Sequence, residues 1–207
     1  MKTVKLFFFL ALMATSSQIF AQFGYTPVHT KIKATGSAAE IKGQKLNVVF
    51  IYDGMAVGKF ENEADYIKKK VTAYNEKEAG RGDRWAKAWK DDRVNRFQPS
   101  FLTKFNDMGS KTGTQVEQNN SSSKYVLEVK TIFTDPGYNV GVSRYPAIID
   151  AVCTFKVDSK VVGTITVTNC PGQSFGGYDF DTGERISEAY EKLAKELVAY
   201  CSKKYWK

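Results

Sequence analysis

The feature that most restricts the fold is an amphipathic helix predicted near the C-terminus, over about residues 184–203. Its apolar positions recur every three or four residues: Ile186, Tyr190, Leu193, Leu197 and Cys201. That spacing places them on one stripe of a helix. Asp181 or Thr182, just before the helix, is a residue type suited to cap its N-terminus. A helix with one such stripe needs an apolar surface to cover, so we expect it to lie across one face of a sheet.

Several strand-like segments precede this helix and can supply that sheet. Three of them follow one another, over residues 125–133, 147–157 and 161–168. The short Asp158-Ser159-Lys160 connection predicts a tight hairpin between the last two. The apolar run at 47–52 indicates a buried strand, and the alternating segment 28–33 a short edge strand.

Between the first strands and the last three, the pattern is helical. We predict helices over 61–78, 84–98 and 99–108. Pro99 suits the first turn of a helix but not its interior. The apolar stripe expected for the first helix is Ala64, Ile67, Val71 and Tyr74. Residues 109–124 are rich in Ser, Asn, Gln and Gly, and we expect a mobile loop there.

The order of these segments defines the fold class. We predict an α+β protein whose mixed or antiparallel sheet has about four to five strands, with helices packed on one face. Residues 22–207 form a single domain, because no linker or repeat divides them. A chain of this size buries about 70% of its unfolded surface without needing disulfides.

The first 21 residues have the layout of a secretory signal peptide. Lys2 and Lys5 precede the apolar stretch 6–14, and small residues lead to a cleavage site after Ala21. The apolar stretch is too short to span roughly 30 Å of hydrocarbon. The Ala-Gln at the cut is typical of Bacteroidetes. We therefore expect an exported protein, periplasmic or secreted, with no transmembrane span and no lipid-attachment cysteine.

The charge balance restricts the partners of an exported chain. Thirty Lys and Arg residues against 22 Asp and Glu give a net charge of +8. Such a charge suits an acidic protein or an anionic envelope polymer, although it also simply aids solubility. Nucleic acid is a poor partner outside the cytoplasm.

The sequence offers little for catalysis. Its single histidine, His29, is too little for a nucleophile–histidine pair or a histidine zinc site. The acidic pairs Asp91/Asp92 and Asp179/Asp181 lack the spacing of a calcium loop, and phosphate-binding glycine motifs are absent. We expect no metal, no cofactor and no enzymatic activity, and Arg81-Gly82-Asp83 is too common a tripeptide to indicate adhesion.

The three cysteines leave two alternatives open. Cys153, Cys170 and Cys201 fall on predicted buried positions. An odd count leaves at least one thiol unpaired within the chain. Cys153 should face about Thr166, which leaves Cys170 too distant for a direct bridge unless a bulge intervenes. The cysteines are therefore either buried free thiols or include one disulfide of unknown pairing.

Two regions are candidate binding surfaces. The loop 134–146 carries Tyr138, Arg144 and Tyr145, residue types favoured at contact hot spots. The basic helix carries Trp85 and Trp89 among its arginines and lysines. Both regions suit contact with a partner protein. For a small ligand or glycan, Trp85, Trp89, Tyr138 and Tyr178 would line a cleft.

The C-terminal region resembles a known group of envelope domains. It carries a Gly/Arg loop at 141–144, a hairpin turn at Asp158 and the segment FDTGERISEAYEKLAKEL at 180–197. This order is similar to small α+β domains such as the N-terminal domain of TolB and the penicillin-binding-protein activator lipoproteins, over about residues 45–197. The resemblance implies a non-enzymatic accessory module that binds another envelope protein. The alternative is a small-ligand or glycan-binding protein.

Overall fold

The computed structural model describes residues 28–141, 143–172 and 181–207, so the predicted signal peptide, Tyr178 and Asp179 lie outside the described residues. Seven strands form the main sheet: β1 Lys31–Gly36, β2 Lys45–Ile51, β3 Ala56–Val57, β4 Gln115–Glu117, β5 Tyr125–Asp135, β8 Ala147–Val157 and β9 Lys160–Gly172. The strands β6 Tyr138–Asn139 and β7 Arg144–Tyr145 form a separate ribbon. The α-helices are α1 Glu63–Asn75, α2 Arg81–Asp92, α3 Gln98–Gly109 and α4 Thr182–Lys204.

The sheet is mixed, in the order β1-β9-β8-β5-β2-β4, with β3 also paired to β5. Strands β5, β8, β9 and β1 are antiparallel neighbours, whereas β2 runs parallel to both β4 and β5. The α+β class is therefore confirmed, but seven strands replace the expected four to five. The two short strands β3 and β4 account for the difference.

Strand β4 lies in the segment expected to be a mobile loop, so that expectation is wrong for these residues. Val116 is buried, and its N–H donates to Asn106 Oδ1 of α3 at 2.7 Å. Gln115 to Glu117 pair with Lys45 to Asn47 of β2. A three-residue strand gives almost no periodicity in the sequence, because its neighbours rather than its composition hold it in place.

Helix α4 packs against β8 and β9 as its apolar stripe predicted. All five stripe residues are buried. The ring of Tyr190 stacks on Phe97 with centroids 5.3 Å apart. Burying each large side chain contributes roughly 1.5–3 kcal/mol, so this helix is a main source of core stability.

The remaining helices differ from prediction in detail. In α1, Ile67, Val71 and Tyr74 of the expected stripe are half-buried, but Ala64 is exposed and Tyr66 is the fully buried residue, so the expected stripe is wrong at Ala64. A π-helical turn, Arg93–Phe97, joins α2 to α3, and Pro99 lies in the first turn of α3 as predicted. The π turn leads directly into α3 without a loop. Pro99 is compatible with this arrangement because a residue in the first turn of a helix needs no backbone N–H.

The β8–β9 hairpin turns at Asp158 and Ser159, whose φ values are 48° and 67°. Two positive φ values mark the type I′ turn that matches strand twist, and the tight hairpin is confirmed. The pairing places Cys153 opposite Ile165, one residue from the expected Thr166. A bulge at Asn169, whose N–H donates to Asp150 Oδ1 at 2.7 Å, then sets Cys170 opposite Ile149.

Candidate functional site

A short arm extends the β5–β8 pair and carries the predicted binding residues Tyr138, Arg144 and Tyr145. We define the arm as residues 136–141 and 143–146, with β6 and β7 as its ribbon. Tyr138 pairs with Tyr145, and their rings stack with centroids 6.2 Å apart. Tyr138 is 48% exposed, Arg144 is exposed, and Val140 near the tip is 65% exposed. The structure thus brings the three predicted residues together on one projecting element.

The base of the arm is fixed by Arg185 of α4, which is only 3% exposed. Its guanidinium donates to Pro136 O at 3.2 Å, to Gly137 O at 3.4 Å and to Thr182 Oγ1 at 3.1 Å. A Cβ at Gly137 would lie 2.4 Å from Tyr145 O, so the two sides of the base touch backbone to backbone. A buried arginine that holds carbonyls leaves the arm little freedom at its root.

An aromatic cluster lies on the helical side of the molecule, formed by Phe60, Tyr66, Tyr74, Trp85 and Trp89. Trp89 is 6% exposed, and its Nε1 donates to Glu63 Oε1 at 2.6 Å. Trp85 is half-buried and stacks on Trp89 with centroids 5.7 Å apart. This placement corrects the expectation for Trp89, because a buried indole whose N–H is bonded inside the protein cannot stack on a ligand at the surface.

Three cations lie over the rings of this cluster, and we refer to them as the cation layer. Lys69 Nζ is 5.7 Å from the Phe60 ring centre, and Lys70 Nζ is 5.6 Å from that of Tyr74. The Arg81 guanidinium is 5.4 Å from the Tyr74 ring centre. These are cation–π distances, so the rings help to hold the charges in place at the surface.

The aromatic cluster adjoins the root of the arm. Val57 pairs with Thr134 in the β3–β5 ladder, and Gly58 N–H donates to Thr134 O at 2.9 Å. Phe60 follows two residues later, and Asp135 leads directly into the arm. Burial and then the Asp135 carboxylate raise the pKa of Tyr145, and Asp135 also contributes to the raised pKa of Tyr66, after burial and Tyr74. Arm and cluster are therefore neighbouring parts of one surface.

No family model and no curated protein matches the sequence. Among solved structures, the chain is similar to PelC dodecamers from Paraburkholderia phytofirmans. Two crystal forms, one of a point variant, are each 13% identical, cover 80% of this chain and 98–99% of that chain, and give TM-scores of 0.35 and 0.36. An uncharacterized protein is also 13% identical, with a TM-score of 0.32 over 48% of this chain and 60% of that one.

A half-buried polar group lies beneath the cluster and was not predicted from the sequence. Glu63 Oε1 accepts hydrogen bonds from both Trp89 and Arg93, and the Arg93 guanidinium stacks 4.2 Å from the Tyr52 ring centre. A cavity of about 10 Å³ borders these side chains and Tyr190. This is room for one water at most, so the group positions α1 against α2 rather than holding a ligand.

The other sequence candidates have structural surroundings. Asp181 Oδ1 accepts from Glu184 N–H at 3.1 Å, which confirms it as the N-cap of α4. Arg96 forms ion pairs with both Asp92 and Asp181. Asp91 pairs with Lys87 on the same helix. Within the described residues, no group of three or more His, Cys, Asp or Glu side chains could hold a metal ion.

An open groove of about 420 Å³ lies at the start of the described chain. It is lined by Val28, His29, Thr30, Pro171, Lys192 and Glu196. Lys192 and Glu196 pair with each other at 2.7 Å on α4. His29 lies far along the chain from the arm residues. Its setting is shallow and polar, which suits the binding of a small polar molecule better than a catalytic nucleophile–histidine pair.

The three cysteines are free thiols, each fully buried. Of the two alternatives, the structure adopts the one without a disulfide. Cys170 Sγ lies 3.6 Å from Ala189 O on α4. Burial raises the pKa of all three thiols, that of Cys201 to about 12. A buried, protonated thiol is a poor nucleophile.

Every helix in the described ranges is too short or too polar to cross a membrane.

Proposed function

We propose that this protein is an exported, non-enzymatic accessory module of a bacterial cell envelope that binds another envelope protein through its arm. The observation that carries the proposal is the arm itself: Tyr138, Val140 and Arg144 are exposed on a ribbon whose base is fixed by buried Arg185. The predicted signal peptide over residues 1–21 supports the proposed location.

The arm has the chemistry of a protein contact. Tyrosine and arginine are enriched among residues that dominate binding energy, and an apolar tip adds surface that water solvates poorly. A loop that is already ordered before binding avoids part of the entropy cost of association. The anchored arm meets both conditions, which a free loop of the same composition would not.

The test is cross-linking in intact cells with a tagged chain, followed by identification of what co-purifies. We expect one dominant envelope protein with the wild type, and its loss with Tyr138→Ala/Arg144→Ala. The matched control is Lys160→Ala/Val161→Ala, which removes an exposed cation and an exposed apolar side chain at the β8–β9 hairpin. No dominant protein, or equal capture by the arm variant, would contradict the proposal.

The location is tested independently. Mass spectrometry of the protein from a bacterial envelope fraction should find a mature N-terminus at Gln22, because the predicted cleavage follows Ala21. A chain that keeps residues 1–21 and stays in the cytoplasm would contradict export while leaving the binding surface untouched.

Binding of a small polar ligand is the second candidate function, and the groove beside His29 is the observation that favours it. A ligand that binds only the folded protein raises the melting temperature, and the rise grows with ligand concentration above the Kd. A thermal-shift screen of small anionic sugars should find such a ligand, and Lys192→Ala should abolish the shift. A glycan contact through Trp89 is not part of this candidate, since that indole is buried.

A further inference from the structure

We infer that the cation layer of Lys69, Lys70 and Arg81 binds an acidic stretch of the partner protein. This inference rests on the proposed function, because it assigns the chemistry of the partner that the arm contacts. It adds a second contact surface and predicts that the partner carries Asp and Glu residues next to the segment that meets the arm.

The first support is that these three cations keep their charge available. Across the described chain, none of the three is in an ion pair, whereas their neighbours are paired: Arg84 with Glu78, Lys87 with Asp91 and Arg93 with Glu63. Lys69 and Arg81 are exposed and Lys70 is half-buried. Their contacts are with the rings of Phe60, Tyr66 and Tyr74.

The second support is geometric. Two cations approach the same Tyr74 ring, Lys70 at 5.6 Å and Arg81 at 5.4 Å, so the like charges from α1 and α2 lie no more than about 11 Å apart. Like charges repel, and an anion bound near both offsets that repulsion. An arrangement of this kind is complementary to carboxylates rather than to a neutral surface.

The rings also distinguish an acidic peptide from an anionic glycan. Sugars bind aromatic side chains by stacking on an open ring face. Here cations lie over Phe60, Tyr66 and Tyr74, while the Trp85 ring stacks on Trp89 and packs edge-on against Tyr66 and Tyr74. The surface therefore offers the cationic groups and the aliphatic stems of the Lys and Arg side chains. These suit contact with Asp and Glu side chains on a polypeptide.

The third support is position. Because Gly58 N–H bonds Thr134 O, the Phe60 end of the cluster lies beside the strand that leads into the arm. A partner segment that contacts Tyr138 and Val140 can continue over the arm root onto the cation layer. The two surfaces together offer an apolar–aromatic contact followed by a cationic one.

The purified protein is titrated with a fluorescein-labelled oligoglutamate peptide in low and moderate salt. Lys69→Gln/Lys70→Gln/Arg81→Gln should weaken binding by about tenfold, and added salt should weaken wild-type binding, because the contacts are exposed charge pairs. The matched control is Lys160→Gln/Lys195→Gln/Lys203→Gln, which removes the same charge from exposed positions elsewhere. Equal melting temperatures for the two triple variants exclude a folding defect.

Several outcomes overturn the inference. Equal loss in both triple variants means that net charge alone attracts the peptide. Full binding by the cation-layer variant places the contact elsewhere. Binding of a polyuronate oligosaccharide or phosphatidylglycerol vesicles, but not of the peptide, assigns the layer to a glycan or a membrane.

The cellular cross-link separates this inference from the proposed function. If the partner is captured by the cation-layer variant as well as by the wild type, yet lost in the arm variant, the inference fails and the proposed function stands. If the wild type captures no partner, the proposed function fails and the inference falls with it. Loss of the partner in both variants, with the control unaffected, supports both.

Discussion

The hydroxyl groups of Tyr52 and Tyr190 are both buried beside the same small cavity, but they differ in hydrogen bonding. Tyr190 Oη bonds Thr131 Oγ1, whereas Tyr52 Oη meets hydrogen-bond geometry with no side chain in the described part of the chain, although Gln98 and Tyr190 lie nearby. Tyr190→Phe leaves the Thr131 hydroxyl unpaired in the core and should lower the unfolding free energy by about 1–2 kcal/mol. Tyr52→Phe should change it by less than about 0.5 kcal/mol, measured by urea unfolding.

The Tyr52 result is informative in either direction. A loss as large as that of Tyr190→Phe would mean that the Tyr52 hydroxyl is bonded in solution. The adjoining cavity of about 10 Å³ would then hold an ordered water.

The contribution of Asp181 to the stability of the protein depends on pH, because its carboxylate caps the start of α4. Burial raises the pKa of this carboxyl, but the Glu184 N–H and the Arg96 guanidinium offset that effect, so its pKa lies below the usual value of 3.8. A lowered folded-state pKa stabilises the protein above pH 4, and the contribution is lost as the pH falls through the folded-state value. The ion pair adds little, because the Asp181 side chain is 58% exposed.

Asp181→Ala should therefore cost about 1 kcal/mol at pH 7, mainly through the lost N-cap. The difference from the wild type should shrink towards pH 3 in thermal unfolding curves. Asp181→Asn is the matched control, because asparagine keeps the cap and loses the charge. A difference that stays constant from pH 7 to pH 3 would contradict the assignment.

At the scale of secondary structure, the sequence predicted the elements whose patterns are long. Helix α4 and strands β5, β8 and β9 repeat their apolar positions often enough to define one buried face. Strands β3 and β4 are only two and three residues long. Strand β3 is held by its pairing with β5, and β4 by its pairing with β2. Whether these residues form strands depends on the neighbouring strands of the sheet. A local sequence pattern carries no information about those neighbours.

The crossing of α1 and α2 depends on Gly82, the central residue of the Arg-Gly-Asp tripeptide. A Cβ at this position would lie 2.2 Å from Val71 O, and Gly82 N–H donates to Asn75 Oδ1 at 2.7 Å. Gly82→Ala should therefore push the helices apart and cost about 2–3 kcal/mol in denaturant unfolding. Ala88→Ser, on the exposed side of α2, should cost less than about 1 kcal/mol. Unchanged stability of Gly82→Ala would refute the close crossing.

Arg185 should control the order of the arm. Arg185→Met removes the donors that hold Pro136 O and Gly137 O, so amide hydrogen exchange in the arm should accelerate by about tenfold or more. Exchange in the centre of β5 and β8 should change less. Arg144→Ala, on the exposed side of the same arm, is the control and should leave exchange in the arm unchanged. Equal exchange in wild type and Arg185→Met would show that the ribbon is held by its own contacts.

At the scale of the whole molecule, the candidate site was only partly predictable. Tyr138, Arg144 and Tyr145 were predicted because Tyr and Arg are favoured at contact hot spots and these three lie in a loop between two strands. Arg185 lies within an otherwise amphipathic helix, so its sequence position gives no sign of its role. That it holds the base of the arm is seen only from the packing of α4 against the arm. The cation layer likewise combines Lys69 and Lys70 of α1 with Arg81 of α2, and no local pattern predicts that two helices bring their charges to one ring.

The three thiols report on the stability of the whole fold. Cys153 lies on β8, Cys170 on β9 and Cys201 on α4, and all are fully buried in one core cluster. The cysteine thiolate attacks the disulfide of Ellman's reagent and releases one half of it as a thiolate, and burial both shields the sulfur and disfavours its thiolate form. We expect no reaction in native buffer and reaction of all three thiols in guanidinium. Near the unfolding midpoint, the three should react with a single rate, because sheet and helix must separate together to expose them.

Two results would contradict this expectation, and each has a different meaning. One reactive thiol in guanidinium, restored to three by a reductant, would show that two of the cysteines form a disulfide in the exported protein. A single thiol that reacts early under native conditions would show local opening rather than global unfolding. Cys201→Ala then separates the two elements: if α4 opens alone, this change should abolish the early reaction, whereas Cys153→Ala should leave it in place.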